Sequence, residues 1–497
     1  MFISSLLFFI LLPLIFIFFK TPKSNPNSPP KSYPIVGHYL SIYANRHRLT
    51  QFTSDLVLSS PTLTTVLRRP FGQRRIITAD PAVVRHILKT NFSIYQKGDI
   101  FRSTLFDVLG NGIFNVDGDD WKFQRQLSSH EFNTKSLRHF VEHVVDVELN
   151  DRLIPILAAA AANDSVLDLQ DILQRFAFDN ICRIAFGYDP VYLTPSLPKA
   201  KFAVAFEDGV RISSERFRLV SPLIWKIQRF LNIGSEQRLK EAVTEIRQFA
   251  VKILTEKKEE LARNPSIQSV DLLSRFLSSG HSDENFVIDI VISFILAGRD
   301  TTSAALVWFF WLISRNPAIE AEIVKEIDLK SESLVYDEVK DMVYTHASLC
   351  ESMRLYPPVP ADSKMANADD VLPDGTVVER GVMVSYHPYA MGRVEGLWGK
   401  DWAEFRPERW LETDETTTGK LRFVARDPYT YPVFQAGPRI CLGKEMAFLQ
   451  MKRVVAGVLQ RFTVVPVAED GGEPVYVAAL TSKMKGGFSV KIRERKE

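Results

Sequence analysis

Cysteine is scarce in this sequence. Only Cys182, Cys350 and Cys441 occur among 497 residues, and no two of them stand close together. An odd count without short spacings argues against a disulfide framework and against a structural zinc site, and it favours a reducing compartment. The chain also lacks a glycine-rich dinucleotide-binding motif. Its net charge of +2 is too small to indicate nucleic-acid binding.

Long uncharged apolar runs are also rare, and the clearest one lies at the beginning. Residues 1–19 are apolar and uncharged, and lysines follow at Lys20 and Lys23. Such a run is long enough to span a bilayer, and the following positive charge predicts an uncleaved signal-anchor with the rest of the chain in the cytoplasm. Residues 20–36 are rich in proline and predict a stiff linker. We expect residues 37–497 to form one folded domain.

Two kinds of pattern follow in that domain. Residues 35–80 and 361–440 indicate short strands and turns, whereas helical periodicity predominates from about 118 to 360. Ser282 to Asn316 is the longest apolar helix. The charges of Asp289, Arg299 and Asp300 within it favour a buried core helix over a second membrane span. The sequence therefore predicts a mainly α fold with small β-sheets, of the α+β class.

Cys441 stands in an unusual loop. The stretch from Phe434 to Gly443 reads FQAGPRICLG, and a helical pattern follows it. A thiol at a helix N-terminus has a lowered pKa, so it is suited to act as a nucleophile or as a soft metal ligand. The loop offers no histidine as a base and no second cysteine for zinc. A single thiolate on haem iron is the remaining reactive role, and a buried structural cysteine is the inert alternative.

This loop resembles the haem-binding decapeptide of the cytochrome P-450 superfamily, F-x-x-G-x-R-x-C-x-G, at every specified position. The resemblance implies the cytochrome P-450 fold and the cofactor haem b, iron-protoporphyrin IX. It makes Cys441 the axial ligand of the haem iron and implies that Arg439 contacts a haem propionate. Phe434 is expected to pack beside the sulfur, and Gly437 and Gly443 to let the backbone approach it.

Trp121 and Arg125 lie four residues apart, on one face of a predicted helix. On the sequence alone they suggest a surface cation–π pair. The resemblance places both on haem propionates, with Lys364 as a third contact.

The segment Ala297-Gly298-Arg-Asp300-Thr301 places an acid beside a hydroxyl in the middle of the longest helix. Such a pair can relay protons. It also matches the acid–threonine pattern of the family, so Asp300 and Thr301 are the predicted catalytic residues. We expect Gly298 to permit a local distortion of the helix.

Glu351 and Arg354 lie one turn apart on a further predicted helix. By resemblance they form the E-x-x-R pair of the family, which Arg409 joins. The expected role of these three residues is structural.

The implied reaction is monooxygenation with O2. Electrons are expected from NADPH-cytochrome P-450 reductase, with cytochrome b5 as an optional second donor, so NADPH acts only through the reductase. Basic residues near the loop are candidates for docking the reductase. The alternative is that they form a solvated basic face without a partner. These residues are Lys135, Arg138, Lys444, Lys452 and Arg453. The predicted location is the endoplasmic reticulum membrane, single-pass, with the catalytic domain facing the cytosol.

Four segments, at 123–137, 355–364, 369–376 and 386–393, resemble the plant ω-hydroxylase branch, the ninety-four family. This implies hydroxylation of the terminal carbon of an aliphatic chain, with a fatty acid as the first expectation. The alternatives are a terminal side-chain (C-26) hydroxylase of a sterol, steroidal sapogenin or alkaloid precursor, and a jasmonoyl-amino acid ω-hydroxylase. A non-oxygenating isomerase, dehydratase or haem sensor is disfavoured by the intact Asp300–Thr301 pair. Expected channel walls include Ile100–Ile113, Phe294, Val359–Ala361 and Leu480–Met484.

Overall fold

The computed structural model describes residues 32–198, 200–263, 271–278, 283–331, 334–413, 420–467 and 473–495. The predicted membrane anchor, most of the predicted linker and Ser282 lie outside these residues. The predicted catalytic domain is covered from its beginning, apart from the gaps between the ranges.

Helices make up most of the described chain. They are α1 (Tyr39–Ala44), α2 (Leu49–Leu58), α3 (Pro81–Arg85), α4 (Gly98–Leu109), α5 (Gly118–Ser129), α6 (Thr134–His139), α7 (Asp146–Glu148), α8 (Ile154–Ala162), α9 (Leu169–Phe186), α10 (Lys201–Glu215), α11 (Pro222–Leu231), α12 (Gly234–Arg263), α13 (Leu272–Ser278), α14 (Glu284–Ser314), α15 (Pro317–Asp328), α16 (Tyr336–Lys340), α17 (Val343–Leu355), α18 (Pro388–Met391), α19 (Glu395–Trp398) and α20 (Lys444–Leu459). π-Helical segments at Phe140–Val145 and Leu149–Leu153 join α6, α7 and α8.

The strands are short. They are β1 (Thr64–Arg68), β2 (Arg74–Thr78), β3 (Tyr95–Gln96), β4 (Val166–Asp168), β5 (Asp362–Ala366), β6 (Asp370–Val371), β7 (Val377–Val378), β8 (Met383–Tyr386), β9 (Leu411–Thr413), β10 (Leu421–Phe423), β11 (Phe462–Pro466), β12 (Tyr476–Ala478), β13 (Ser482–Met484) and β14 (Ser489–Glu494). The largest described sheet has the order β1-β2-β8-β5-β3. Its β2–β8 pair is parallel and its other pairs are antiparallel. The predicted mainly α fold with small sheets is confirmed.

Helix α14 runs through the core. Asp283 caps its beginning by accepting a hydrogen bond from the Asn285 backbone N–H, and the helix ends just before Arg315. By length and apolarity this helix could cross a membrane, but 78% of its most apolar window is buried inside the protein. The buried charges on it have partners; Asp289, for example, lies 2.9 Å from Arg247. These contacts favour the predicted core helix over a membrane span.

Two local predictions were wrong. Residues 35–80 contain the hairpin β1–β2, but α1 and α2 precede it, because Phe52, Leu56 and Val57 recur at helical spacing on one buried face. Gly298 does not distort α14; a side chain at that position would overlap Ile181 of α9. The glycine therefore permits close packing of the two helices.

Candidate functional site

The loop that carries Cys441 is fixed by its own backbone. The Cys441 N–H donates to the Phe434 carbonyl oxygen over 2.8 Å, and Gly443 is the N-cap of α20. Gly437 has a φ of +65°, and a Cβ there would overlap the Leu88 carbonyl oxygen. Only glycine suits that position without strain. The Phe434 ring packs 5.1 Å from the Phe448 ring, which ties the loop to the helix that follows it.

The Cys441 thiol does not have the lowered pKa that its helix-terminal position predicts. The residue is exposed at its surface, but many protein atoms surround the thiol, and the resulting loss of hydration raises its pKa. The Gly443 N–H and the charges of Arg125 and Lys444 lower that pKa, as the loop position predicts, but they do not outweigh the burial. A bound cation such as a metal ion would favour the thiolate.

Arg439 joins the loop to the beginning of α5. Its Nη2 donates to the Asp117 carboxylate over 2.7 Å and to the Val116 carbonyl over 2.8 Å. Its guanidinium lies 4.6 Å from the centre of the buried Trp121 ring. The cation over Trp121 is thus Arg439 and not Arg125, the partner that the spacing on the helix suggests. Arg125 is half-buried, and its charge acts on Cys441.

Lys364 lies in a second group of charges that sequence analysis did not find. Asp362 accepts from Lys97 over 3.0 Å and from Lys364 over 2.9 Å. Burial would raise the pKa of Asp362, but the two ammonium groups outweigh it and hold that pKa far below its usual range. Burial and the charges of Lys97 and Arg439 lower the pKa of Lys364 to about 7, although Asp362 raises it.

The charges of these two groups suit a cofactor with two carboxylates. Asp117 accepts from the Lys97 backbone N–H as well as from Arg439, so the groups adjoin. Four basic side chains, Lys97, Arg125, Lys364 and Arg439, stand against two carboxylates, Asp117 and Asp362. Positive charge is therefore in excess even when Lys364, with a pKa of about 7, is partly neutral. Haem b carries two propionates and an iron with affinity for a thiolate. The residues present therefore fit a haem.

The predicted relay residues lie on α14. The Thr301 hydroxyl donates to the Ala297 carbonyl over 2.6 Å. Asp300 is only 4% exposed, and its Oδ1 lies 3.1 Å from Arg299 Nη1. Arg299 also lies 3.5 Å from Glu207, whose side chain is 47% exposed and accepts from Lys483 over 2.7 Å. A chain of charges thus connects Asp300 to solvent through Arg299 and Glu207.

Glu351 is the centre of a buried polar cluster. Its carboxylate accepts from Arg354 Nε and Nη2, both over 2.8 Å, and from Arg409 Nε over 3.1 Å. Trp410 Nε1 donates to it over 2.9 Å, and the Arg406 backbone N–H over 3.1 Å. Arg354 also donates to backbone carbonyls at 392 and 404. The structure thus brings Glu351, Arg354 and Arg409 together and joins α17 to the segment that leads to the cysteine loop.

One large cavity of about 540 Å³ reaches Thr301. Its apolar wall includes Phe101, Leu105, Leu109, Leu296, Val359 and Leu480. Most of the predicted channel segments contribute to this wall, but on α14 the wall residues are Leu296 and Ala297 rather than Phe294. The volume lies within the range of small-molecule pockets in proteins.

Two of the candidate docking residues are unsuitable for a partner. Lys452 is buried and donates to the Val339 and Lys340 carbonyls, and Arg453 is buried against Asp146. Both lie on the inner face of α20. Lys135 and Arg138 are exposed.

Comparisons with known proteins agree with this geometry. Residues 26–490 match the family described as cytochrome P-450. The chain belongs to the cytochrome P-450 family. It is 64% identical to cytochrome P-450 94A1 of Vicia sativa over 466 residues, which cover 94% of this chain and 90% of that protein. It is 64% identical to cytochrome P-450 94A2 of Vicia sativa over 480 residues, 96% of this chain and 93% of that protein. It is 47% identical to cytochrome P-450 94B1 of Arabidopsis thaliana over 489 residues, 97% of this chain and 95% of that protein.

The protein is therefore a plant cytochrome P-450 of the ninety-four family and a haem-thiolate monooxygenase. The family uses haem, which supplies O2 activation when bound, and it works with a redox partner reductase and a small-molecule substrate.

Sequence reasoning missed Lys97, Asp117 and Asp362. Lys97 and Asp362 are 265 positions apart, so no local pattern marks them as partners. The one available signal was the position of Asp362, two residues before Lys364.

Proposed function

We propose that this P-450 hydroxylates the terminal carbon of the aliphatic chain of a fatty acid. In this proposal Cys441 is the axial ligand of the haem iron. Arg439, Trp121, Arg125 and Lys364 hold the propionates. Electrons come from NADPH-cytochrome P-450 reductase.

The observation that supports this proposal is the lining of the cavity. Its apolar residues, among them Leu105, Leu109 and Leu296, share the lining with Thr301, whereas cations line other parts of the same wall. An aliphatic end is stabilised among the apolar residues, by about 0.8 kcal/mol for each buried CH2 group. Terminal attack requires a wall that keeps the weaker subterminal C–H bonds away from the reacting centre.

Asp300 and Thr301 are proposed to deliver protons. The Thr301 hydroxyl can exchange its bond to the Ala297 carbonyl for one to a bound water, and Asp300 can resupply the proton. Arg299 holds Asp300 in place and connects it to the exposed Glu207. This intact pair also argues against a non-oxygenating haem-thiolate isomerase.

The apolar run at residues 1–19 is proposed to anchor the enzyme in the endoplasmic reticulum membrane, with the folded body in the cytosol. Such a membrane dissolves lipids and sterols, which suits the proposed substrate class.

The test is product analysis by mass spectrometry, using microsomes that contain the enzyme and reductase. Lauric acid, oleic acid, a jasmonoyl-isoleucine and a hydroxylated sterol form the panel. We expect terminal alcohols from the fatty acids. Predominant subterminal products from every substrate would contradict terminal hydroxylation, and exclusive turnover of the sterol or of the jasmonoyl conjugate would contradict the fatty acid.

The ligand assignment has its own test. Cys441→Ser is expected to abolish the red-shifted absorption band of the reduced, CO-bound protein, whereas the matched change Cys182→Ser, at a buried cysteine outside the loop, retains it. A retained band in Cys441→Ser would refute the assignment.

A further inference from the structure

Three half-buried arginines in the cavity wall have only neutral partners among the described residues. Arg69 Nη2 donates to the Leu219 carbonyl over 2.7 Å, and Arg218 Nη2 donates to the Ala478 carbonyl over 2.9 Å. Arg75 donates to two serine hydroxyls, at 3.2 Å from Ser385 and 3.0 Å from Ser363. None of the three has a carboxylate within ion-pair distance in the described part of the chain.

The arginines that are fully buried in the described part of the chain do have carboxylate partners. Arg354 pairs with Glu351, Arg216 with Glu236, and Arg453 with Asp146. This is the usual arrangement, because a buried charge without a counter-ion is costly. The three cavity arginines are half-buried and lack such a partner. Arg393 lacks one too, but it stacks on the Tyr389 ring and does not line the cavity.

The positive charges of Arg69 and Arg75 act on each other. Burial lowers the pKa of Arg75 to about 10, and the neighbouring charge of Arg69 contributes to that shift. Burial lowers the pKa of Arg69 and of Arg218 as well. Among the described residues of the cavity wall, the one carboxylate belongs to Asp362, which Lys97 and Lys364 already neutralise. Arg69 and Arg75 thus lie near each other in the cavity without a carboxylate partner of their own, whereas the charge of Glu215 acts on Arg218.

We propose that Arg69 and Arg75, assisted by Arg218, bind the carboxylate of the substrate. Arginine presents several N–H donors in a plane and favours carboxylates for that reason. Each guanidinium has N–H groups beyond those already bonded to protein. The inference rests on the proposed function in one respect, namely that this cavity holds the substrate.

This placement has a consequence for specificity. With the acid end held by the arginines, the length of the aliphatic chain decides which carbon reaches the part of the cavity near Thr301. The enzyme is then selective for carboxylates as well as for chain length. A neutral sterol would leave the arginines unpaired, whereas a fatty acid or a jasmonoyl-amino acid would pair with them.

The experiment compares three ligands of equal chain length, namely lauric acid, methyl laurate and 1-dodecanol. Binding is measured by the substrate-induced shift of the haem absorption and by equilibrium dialysis. The variants are Arg69→Gln, Arg75→Gln and the double variant. Arg74→Gln is the matched control, because Arg74 lies on the same strand, pairs with Glu379 and does not line the cavity.

We expect the wild type and Arg74→Gln to bind the acid at least about 10-fold more tightly than the ester. Each single variant should weaken acid binding about 10-fold, as expected for the loss of hydrogen bonds to a charged group, and the double variant should abolish the preference. Binding of the ester and the alcohol should change less than about 2-fold, since neither carries a charge.

Several outcomes would overturn the proposal. One is a wild type that binds the acid no more tightly than the ester, a result that needs no variant to fold. Another is an unchanged acid preference in the double variant. A loss of haem with an unchanged preference in the remaining holoenzyme would assign the arginines to the cofactor. The position of hydroxylation is read separately, so subterminal products with an arginine-dependent acid preference would refute terminal hydroxylation and leave this inference standing.

Discussion

Glu351→Gln is expected to destabilise the enzyme strongly. The carboxylate is fully buried and accepts hydrogen bonds from Arg354, Arg409, Trp410 and the Arg406 backbone. Glutamine has nearly the same shape but carries no charge, and its NH2 group would face donors. The variant therefore leaves the Arg354 guanidinium buried without a counter-ion.

The magnitude follows from the burial. Removing one partner of a buried ion pair costs about 3–5 kcal/mol. The unfolding entropy of a chain of 497 residues is roughly 1 kcal/mol/K, from about 2.1 cal/mol/K per residue. The thermal midpoint should therefore fall by about 3–5 °C. Since total stabilities are about 5–15 kcal/mol, the loss is a large fraction of the whole.

The assay follows thermal unfolding of the holoenzyme by fluorescence, together with the loss of the red-shifted CO band. Glu379→Gln is the control, because Glu379 is 67% exposed and lies 3.3 Å from Arg74. An exposed ion pair of this kind contributes little, so no clear change is expected. If the two variants had equal midpoints, the reasoning about the buried cluster would be refuted.

Three further results are expected. Thr301→Ala should divert NADPH into peroxide and reduce product per NADPH by about 10-fold or more, whereas Thr302→Ala should not; full coupling would refute the relay. Gly437→Ala should cost more stability than Gly375→Ala in urea unfolding, since both have positive φ but only Gly437 has a carbonyl in the way of a Cβ; equal losses would contradict this. Burial lowers the pKa of His387 to about 3, below its unfolded value of about 6.5. The unfolded state therefore binds this proton first as the pH falls, and about 2 kcal/mol of stability should be lost between pH 7 and 5. His387→Asn should remove that loss, and an unchanged pH dependence would disprove it.

Local patterns predicted much of the site. The fixed residues around Cys441 and the spacing of Glu351 and Arg354 are short-range features, so one stretch of sequence contains each of them. The long apolar helix was predictable for the same reason, and its buried charges marked it as a core element. The family resemblance supplied the expected roles, which geometry alone does not assign.

Contacts between distant segments were not predictable. Arg439 lies over Trp121, and Lys97 pairs with Asp362, because the fold brings together segments about 265 to 320 positions apart. Burial was also inaccessible from sequence. It reversed the expected shift in the pKa of Cys441, and it placed Lys452 and Arg453 inside the protein where a basic face was expected.

Strand β5 bears on how this enzyme can evolve. Successive side chains of a strand point to opposite faces, and here Asp362 and Lys364 pair with each other while Ser363, between them, faces Ser385 and Arg75. Ser363 can therefore mutate to reshape the substrate cavity while the ion pair beside it is kept. A shift of one residue in the pairing of this strand would place Ser363 on the face that Asp362 and Lys364 now occupy, and would move those two residues to the opposite face. Substrate preference can thus diversify by point substitution here, whereas insertions and deletions in β5 should be eliminated by selection.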